Sequence, residues 1–258
     1  MDVKPAREAP FPRERLARLS EIERRHFWFA GRRALVDRLL RRHAGAPRLR
    51  VLDLGCGTGS MLEELSRRGF DVVGLDERPE GLAATRRSQL GHAPAGPTSR
   101  LVQGDGARLP FARDSFDGVV LLDVLEHVDD RTVLAEVARI LKPSGWALLT
   151  VPALPWLFSY RDTAAGHRRR YTRRALVAAL EGARLQLREA RYYQCLLLPL
   201  VAVSRLLGRR GPFFRDREDH PHPLLNRLLG RISDLEGTLG EFVRWPLGSS
   251  LAAVCRKG

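Results

Sequence analysis

The chain is 258 residues long, 44% hydrophobic and 29% charged, with a formal net charge of +14. That length suits one large α/β domain with additions, and the lack of any run of about 18 apolar residues excludes a transmembrane helix. Isolated Cys56, Cys195 and Cys255 exclude a disulfide framework and a structural zinc site, and Met1–Pro12 lacks the apolar core of a secretory signal, so a cytoplasmic location and no metal are expected.

Residues 1–12 hold three prolines and read as a flexible tail. Residues 13–46 read as helical, with Leu16, Leu19 and Ile22, then Leu35, Val36, Leu39 and Leu40 at helical spacing. Between these runs lies His26-Phe-Trp-Phe-Ala-Gly-Arg-Arg33. Three consecutive aromatics cannot share one helix face, so the pattern turns some of them toward a ligand or a lid.

Residues 47–194 carry the densest signals. Val51-Leu-Asp-Leu-Gly-Cys-Gly-Thr-Gly59 reads as a buried strand that ends in a carboxylate and three alternating glycines. Ser60–Arg68 then opens a helix. A strand, glycine turn and helix in this order make room for a nucleotide-like ligand at backbone distance. The spacing departs from the dinucleotide pattern G-x-G-x-x-G, since the third glycine, Gly59, comes one place early. Asp71-Val-Val-Gly-Leu-Asp76 is a second strand closing on an acid 17 residues after Gly59. Asp76 either accepts two hydrogen bonds from a ribose diol or caps a helix over 79–88. Gly91–Ser99 reads as a loop. The run 100–103 reads as a third strand that ends at Asp105, and 117–122 as a fourth. A helix over 130–141, stopped by Lys142-Pro-Ser-Gly145, and a strand over 145–151 follow. Residues 152–174 read as a loop, rich in Trp156, Tyr160, Arg161, Asp162 and Gly166-His-Arg-Arg-Arg-Tyr171. Thr172 then caps a helix over 172–182, and a strand lies near 185–193.

Residues 195–248 separate that strand from the last one, 249–258. Leu225, Leu228, Leu229, Ile232, Leu235 and Leu239 recur at helical spacing there. Two readings stay open: a helical cap on the sheet edge or homodimer contact, and an interfacial helix pair at a membrane or lipid-linked substrate. Only Lys4, Lys142 and Lys257 are lysines; the other 41 basic residues are arginine. That skew fits a GC-rich coding sequence, but Arg161 to Arg174 and Arg205 to Arg217 are especially dense. A basic surface attracts nucleic acid, anionic lipid and phosphorylated substrates alike.

The signatures VLDLGCGTG, VVGLD, GDGARLPF, FDGVVLLDVLEHVDD and LKPSGWALLTVP, in this order over residues 48–153, resemble those of the class I S-adenosylmethionine-dependent methyltransferases. The resemblance implies an α/β, Rossmann-like, seven-stranded doubly wound sheet with its last strand antiparallel. It makes the N-terminal helix a lid over the cofactor and 152–174 the substrate loop. S-adenosyl-L-methionine is the implied cofactor. Asp53, Gly55, Cys56, Gly57 and Gly59 would surround its methionyl part, Asp76 and Glu77 its ribose, and Asp105 and Gly106 its adenine. Leu122 and His127 would close the site. Trp28 either lines the closed pocket or packs the helix onto the sheet, and Arg32 or Arg33 would meet the cofactor's carboxylate.

Methyl transfer from a sulfonium needs alignment, exclusion of water and a base where the acceptor must lose a proton. His167 is the preferred base, helped by Tyr171, and His127 is the second candidate. For each, a plain structural role is the competing reading. The implied reaction is transfer to O or N of a small-molecule acceptor, with saccharide, secondary-metabolite and lipid-linked acceptors open. A nucleic-acid methyltransferase is the alternative that the charge suggests. Against it, Leu122-Asp-Val-Leu-Glu-His127 stands where base-amine methyltransferases carry Asn/Asp-Pro-Pro-aromatic, and no Pro-Cys nucleophile pair occurs. A non-catalytic scaffold is argued against by the intact Asp53, Gly55, Gly57, Asp76 and Asp105.

Overall fold

In the computed structural model, residues 22–23, 25–45, 48–90, 100–207 and 221–258 are described. The expected tail, the first half of the 13–46 helix, the 91–99 loop and most of the arginine-dense stretch before 217 lie outside them.

Seven strands form one sheet in the order β3-β2-β1-β4-β5-β7-β6. They are β1 (Arg50–Leu54), β2 (Asp71–Asp76), β3 (Arg100–Gln103), β4 (Phe116–Leu122), β5 (Leu141–Pro152), β6 (Leu185–Tyr193) and β7 (Ser250–Lys257). The first five run parallel, and β7 enters antiparallel between β5 and β6. Val51–Leu54 and Val119–Leu121 are buried throughout, the continuous apolar pattern of strands covered on both faces. On one face lie α1 (Phe27–His43), α2 (Ser60–Arg67) and α3 (Pro79–Leu90), which pack Leu35, Val36, Leu39, Leu62, Leu65 and Leu82 onto the sheet. On the other lie α4 (Asp130–Ile140) and α6 (Arg173–Gly182), with Val133, Leu134, Val137, Leu176 and Leu180 inward. Between them in the chain is the short α5 (Tyr160–Ala165).

Strand order reverses between β1 and β4; in sheets of this kind, the crevice outside the carboxyl ends at such a reversal is where ligands bind. Gly55 follows β1 and Val124 follows β4 at that point. A Cβ on Gly55 would stand 2.6 Å from Val124 Cγ2, so only glycine permits the approach.

Two stretches differ from the sequence expectation. β5 starts at Leu141 rather than 145: that residue is already extended and pairs with Phe116, and a register shift between Phe116 and Gly118 lets the strand run on through Pro143 to its long core half. The 152–174 loop is largely ordered into structure. A 3-10 turn (Pro155–Leu157) leads to α5, whose capping box pairs the Ser159 hydroxyl and amide with Asp162. Its ends are tied: Tyr171 N donates to Pro152 O at 2.8 Å and Leu154 N to Tyr171 O at 3.0 Å.

Residues 195–248 hold α7 (Leu198–Leu207) and α8 (Pro223–Leu239). Asn226 of α8 accepts from Phe27 N at 3.0 Å and donates to Arg25 O at 2.7 Å, which holds α8 beside α1. Glu236, 5% exposed, accepts from the N–H groups of Cys195 (2.7 Å) and Leu196 (2.9 Å) just before α7. No described helix is long and apolar enough to cross a membrane. Glu236→Ala leaves those two N–H groups without their acceptor. A loss of about 1–3 kcal/mol is expected, read as a lower midpoint in urea unfolding.

Candidate active site

The turn after β1 is built by three left-handed glycines, Gly55 (φ +77°), Gly57 (φ +50°) and Gly59 (φ +82°). They differ in what surrounds them. A Cβ at Gly59 would meet Thr85 Cγ2 at 2.5 Å, whereas one at Gly57 would find nothing closer than Gly55 O at 3.9 Å. The outer two glycines are packing constraints, and the middle one faces open space. Asp76, at the tip of β2, accepts from Gly57 N at 2.8 Å and from Arg78 N at 2.9 Å, so its carboxylate shapes the turn and the start of α3 together. Glu23, which the sequence did not single out, accepts from the Thr58 hydroxyl and thereby reaches the same turn from the N-terminal segment.

Asp53 is 3% exposed, and its Oδ2 has no hydrogen-bond partner among the described residues. Burial, then the charge of Asp76, push its pKa up to about 7, against the opposing charge of Arg32. A buried carboxyl without a partner, beside open space over Gly57, suits a ligand that brings positive charge. The ammonium and sulfonium of S-adenosylmethionine are such charges, and the residues present fit that cofactor.

A second group of titratable side chains follows β4. Asp123 accepts from Arg32 Nη1 at 2.5 Å and from the Thr150 hydroxyl at 2.9 Å. Glu126 is fully buried, with no hydrogen-bond partner on either carboxyl oxygen among the described residues. Burial and then the neighbouring Asp123 raise its pKa well above the usual range. His127 and His167 stack edge to face at 4.8 Å between centroids. Glu126, His127 and His167 bring one donor atom each within 4.8 Å of one another. His127 Nδ1 lies 3.2 Å from Gly166 O, and burial followed by the charge of His167 pushes its pKa down to about 4. It is therefore a neutral imidazole at physiological pH.

His167 is oriented from behind. Its Nδ1 lies 3.0 Å from Asp162 Oδ1, and its Nε2 lies 3.9 Å from Glu126 Oε1. Asp162 is 1% exposed. Burial alone would raise its pKa, but the hydrogen bond from His167 and the charge of Arg170, whose Nε is 2.7 Å away, outweigh it and hold the carboxylate well below the usual range. An ionised Asp162 accepts from Nδ1 and so fixes the ring's orientation, with Nε2 turned toward Glu126. The sequence placed Asp162 in the loop without a role; its spacing of five residues before His167, closing one helical turn, is the signal that was available.

The other expected site residues fall as follows. Cys56 is buried under the turn, and Leu122 ends β4 opposite Thr150. Glu77 and Asp105 are exposed, with Asp105 Oδ1 accepting from Ala107 N at 2.8 Å beside Gly106. Trp28 is half-buried in the first turn of α1, and its carbonyl accepts from Gln194. Arg32 is buried and bound to Asp123, and Arg33 donates to Glu23 O at 2.6 Å. Tyr171 is buried, and its hydroxyl donates to Asp130 Oδ2 at 2.8 Å with Leu125 O at 3.2 Å. It anchors the 152–174 loop to α4. Of the adjoining arginines, Arg169 pairs with Asp130 at 3.1 Å and Arg170 with Asp162.

Residues 52–149 match the family model described as a methyltransferase domain. An uncharacterized methyltransferase of Mycobacterium tuberculosis is 38% identical over 96 residues, 37% of this chain and 37% of that protein. The demethylmenaquinone methyltransferase of Renibacterium salmoninarum is 36% identical over 115 residues, 44% of each chain. The chain thus spans well under half the length of these curated relatives. Among solved structures, phosphoethanolamine N-methyltransferase 2 of Haemonchus contortus in complex with S-adenosyl-L-methionine superposes with a TM-score of 0.64 at 18% identity, covering 97% of this chain and 58% of that one.

The raised pKa of Asp53 has a measurable consequence. A carboxyl that titrates near 7 folded but near 3.8 unfolded binds more protons in the folded state between those values. Stability therefore falls as pH rises from about 4 to about 7. Relative to Asp53→Asn, the wild type should lose melting temperature across that window. Cofactor binding near neutral pH should release a proton, read as a buffer-dependent binding enthalpy. Parallel melting curves for the two proteins would show that Asp53 ionises as an ordinary surface acid.

Proposed function

We propose that this chain, whose core is that of a class I S-adenosylmethionine-dependent methyltransferase, moves the methyl group to an oxygen or nitrogen of a small-molecule acceptor, with His167 as the base. The observation that carries the reading is the pair of buried Asp162 and half-buried His167, which the 152–174 loop holds beside Glu126 and His127.

The cofactor, when bound, supplies an electrophilic methyl carbon. In this reading Asp53 and the backbone of Gly55–Gly59 hold its methionyl part, Asp76 and Glu77 its ribose, and Asp105 with Gly106 its adenine. Asp76 already gives one lone pair of each oxygen to backbone, and its remaining lone pairs would accept the ribose hydroxyls. Arg32 is bound to Asp123, so it acts on the crevice as part of a neutral pair rather than as a free cation.

The protein's own work is the proton. His167 Nε2 takes it from the acceptor's hydroxyl or ammonium. The resulting imidazolium lies between the ionised Asp162 at 3.0 Å and the carboxyl of Glu126 at 3.9 Å, which stabilise it. His127, neutral and packed against the ring, keeps His167 from swinging. The absence of an Asn/Asp-Pro-Pro-aromatic segment after β4 disfavours a nucleic-acid base as acceptor.

Titration with S-adenosylmethionine tests the first half of the reading, and Asp76→Ala should weaken binding by at least about tenfold. A screen of hydroxylated and aminated acceptors with labelled methyl tests the second. Once an acceptor is found, His167→Gln should lower kcat by about 10²–10⁴-fold with the cofactor Kd unchanged. Asp162→Asn should lower kcat in the same direction. Full turnover by His167→Gln would remove the base assignment.

A further inference from the structure

The helix α8 is turned inside out. Its buried positions are Leu229, Ser233 and Glu236, two of them polar, while Leu224, Leu228, Leu235 and Leu239 are exposed, at 66%, 55%, 54% and 39%. At helical spacing these four leucines fall within an arc of roughly 60°. A soluble helix normally places such a stripe against its core. Just past its end, Phe242 is 84% exposed. In α7 and its approach, Leu196, Leu200 and Val203 recur at i, i+4 and i+7, and all three are exposed as well.

We propose that this apolar face docks on the surface of an anionic lipid bilayer, so that the acceptor reaches the crevice from the membrane; the second clause rests on the function proposed above. Three observations fix the occupant. Arg227 and Arg231 are exposed along one edge of the leucine stripe, with the acidic Asp234 farther round the helix. The chain carries a net charge of +14. That charge draws an anionic surface and repels a second copy, and a two-fold dimer through this face would bring the same arginines together. The helix has 17 residues and no described helix can cross a bilayer, so the geometry is that of a helix lying in the interface.

The placement suits access to the site. Tyr193, Ser250 and Pro152 are paired across β6, β7 and β5, so residues 194–249 and the substrate loop leave the sheet at the same end. That end also carries the glycine turn and Glu126. Trp156, 64% exposed in the loop, adds an interfacial aromatic there.

The test uses the full chain and sucrose-loaded vesicles of phosphatidylcholine with phosphatidylglycerol, against phosphatidylcholine alone. Partition into the anionic vesicles at low salt, weakened by salt, is expected. The double variant Leu228→Glu/Leu235→Glu should reduce it by about tenfold or more, with melting temperature and S-adenosylmethionine affinity unchanged. Arg227→Gln/Arg231→Gln, which alters no apolar contact, should reduce partition and flatten its salt dependence. No partition overturns the proposal. So does a dimer in light scattering that the leucine variant dissociates, since the face is then an interface between copies. Vesicle binding is read without turnover: an enzyme active on a soluble acceptor but unable to partition defeats this inference alone, and partition without any methyl transfer defeats only the earlier one.

Discussion

The approach of Gly55 to Val124 governs the rest of the site. It brings the end of β1 against the end of β4 with no room for a Cβ between them. Because the two strands are neighbours at the point where the strand order reverses, this contact draws the glycine turn and the segment 123–127 to one crevice. Asp53 and Glu126 are both buried next to it. The loop after β5 then has a fixed wall to close on: Arg168 N donates to Glu126 O at 2.8 Å, and His127 lies against Gly166. A larger residue at position 55 would push β4's tip outward and separate the carboxyl groups from the turn in the same movement.

Three buried carboxyl groups in this region are treated in two ways, and the difference follows from their partners. Asp162 collects the Ser159 amide, His167 and Arg170, and stays ionised despite its burial. Asp53 and Glu126 lack such partners, and burial favours their neutral forms. A buried carboxyl of this kind costs stability once the pH would ionise it, and a cation bound beside it recovers that loss as binding energy. Ionised and neutral acids about His167 thus serve different ends. Under the proposed function, Asp162 orients His167, while Glu126 stands where positive charge would form.

The fold was legible because its signals are local. The strand that opens Val51–Gly59 and the strands over 100–103 and 185–193 coincide with the observed β1, β3 and β6; β1 is a buried apolar run, and β3 and β6 are the two partly exposed edge strands. The N-cap at Thr172 was legible for the same reason, its hydroxyl accepting from Ala175 N. The start of β5 was not, because Pro143 reads as a helix stop and a strand barrier, while the register shift opposite Phe116 and Gly118 is a tertiary event. At the site, the glycines and acids on the strand tips could be read from position alone. Glu23 and Glu126 could not, since their roles depend on contacts between segments far apart in the chain or on burial, and Asp162 left only its local spacing from His167 as a signal. Tyr171 shows the converse: its residue type and place beside His167 suggested chemistry, whereas its hydroxyl is held by Asp130 across the loop.

The same reasoning explains why α8 faces outward. The leucines in 224–239 have helical spacing, and periodicity alone would turn that stripe inward. What decides the rotation is polar: Asn226 is held by the backbone of residues 25 and 27, and Glu236 by the N–H groups that lead into α7. Ser233 meets α1 at Gly31, where the helices come close enough that a Cβ on the glycine would stand 3.1 Å from the serine's own. These contacts lie on one side of the helix, and fixing them leaves the leucines on the other. Hydrogen bonds to otherwise unpaired N–H groups have a direction, while an apolar stripe accepts any dry surface. The polar side therefore selects the orientation within the chain, and the apolar side is left to meet a surface outside it.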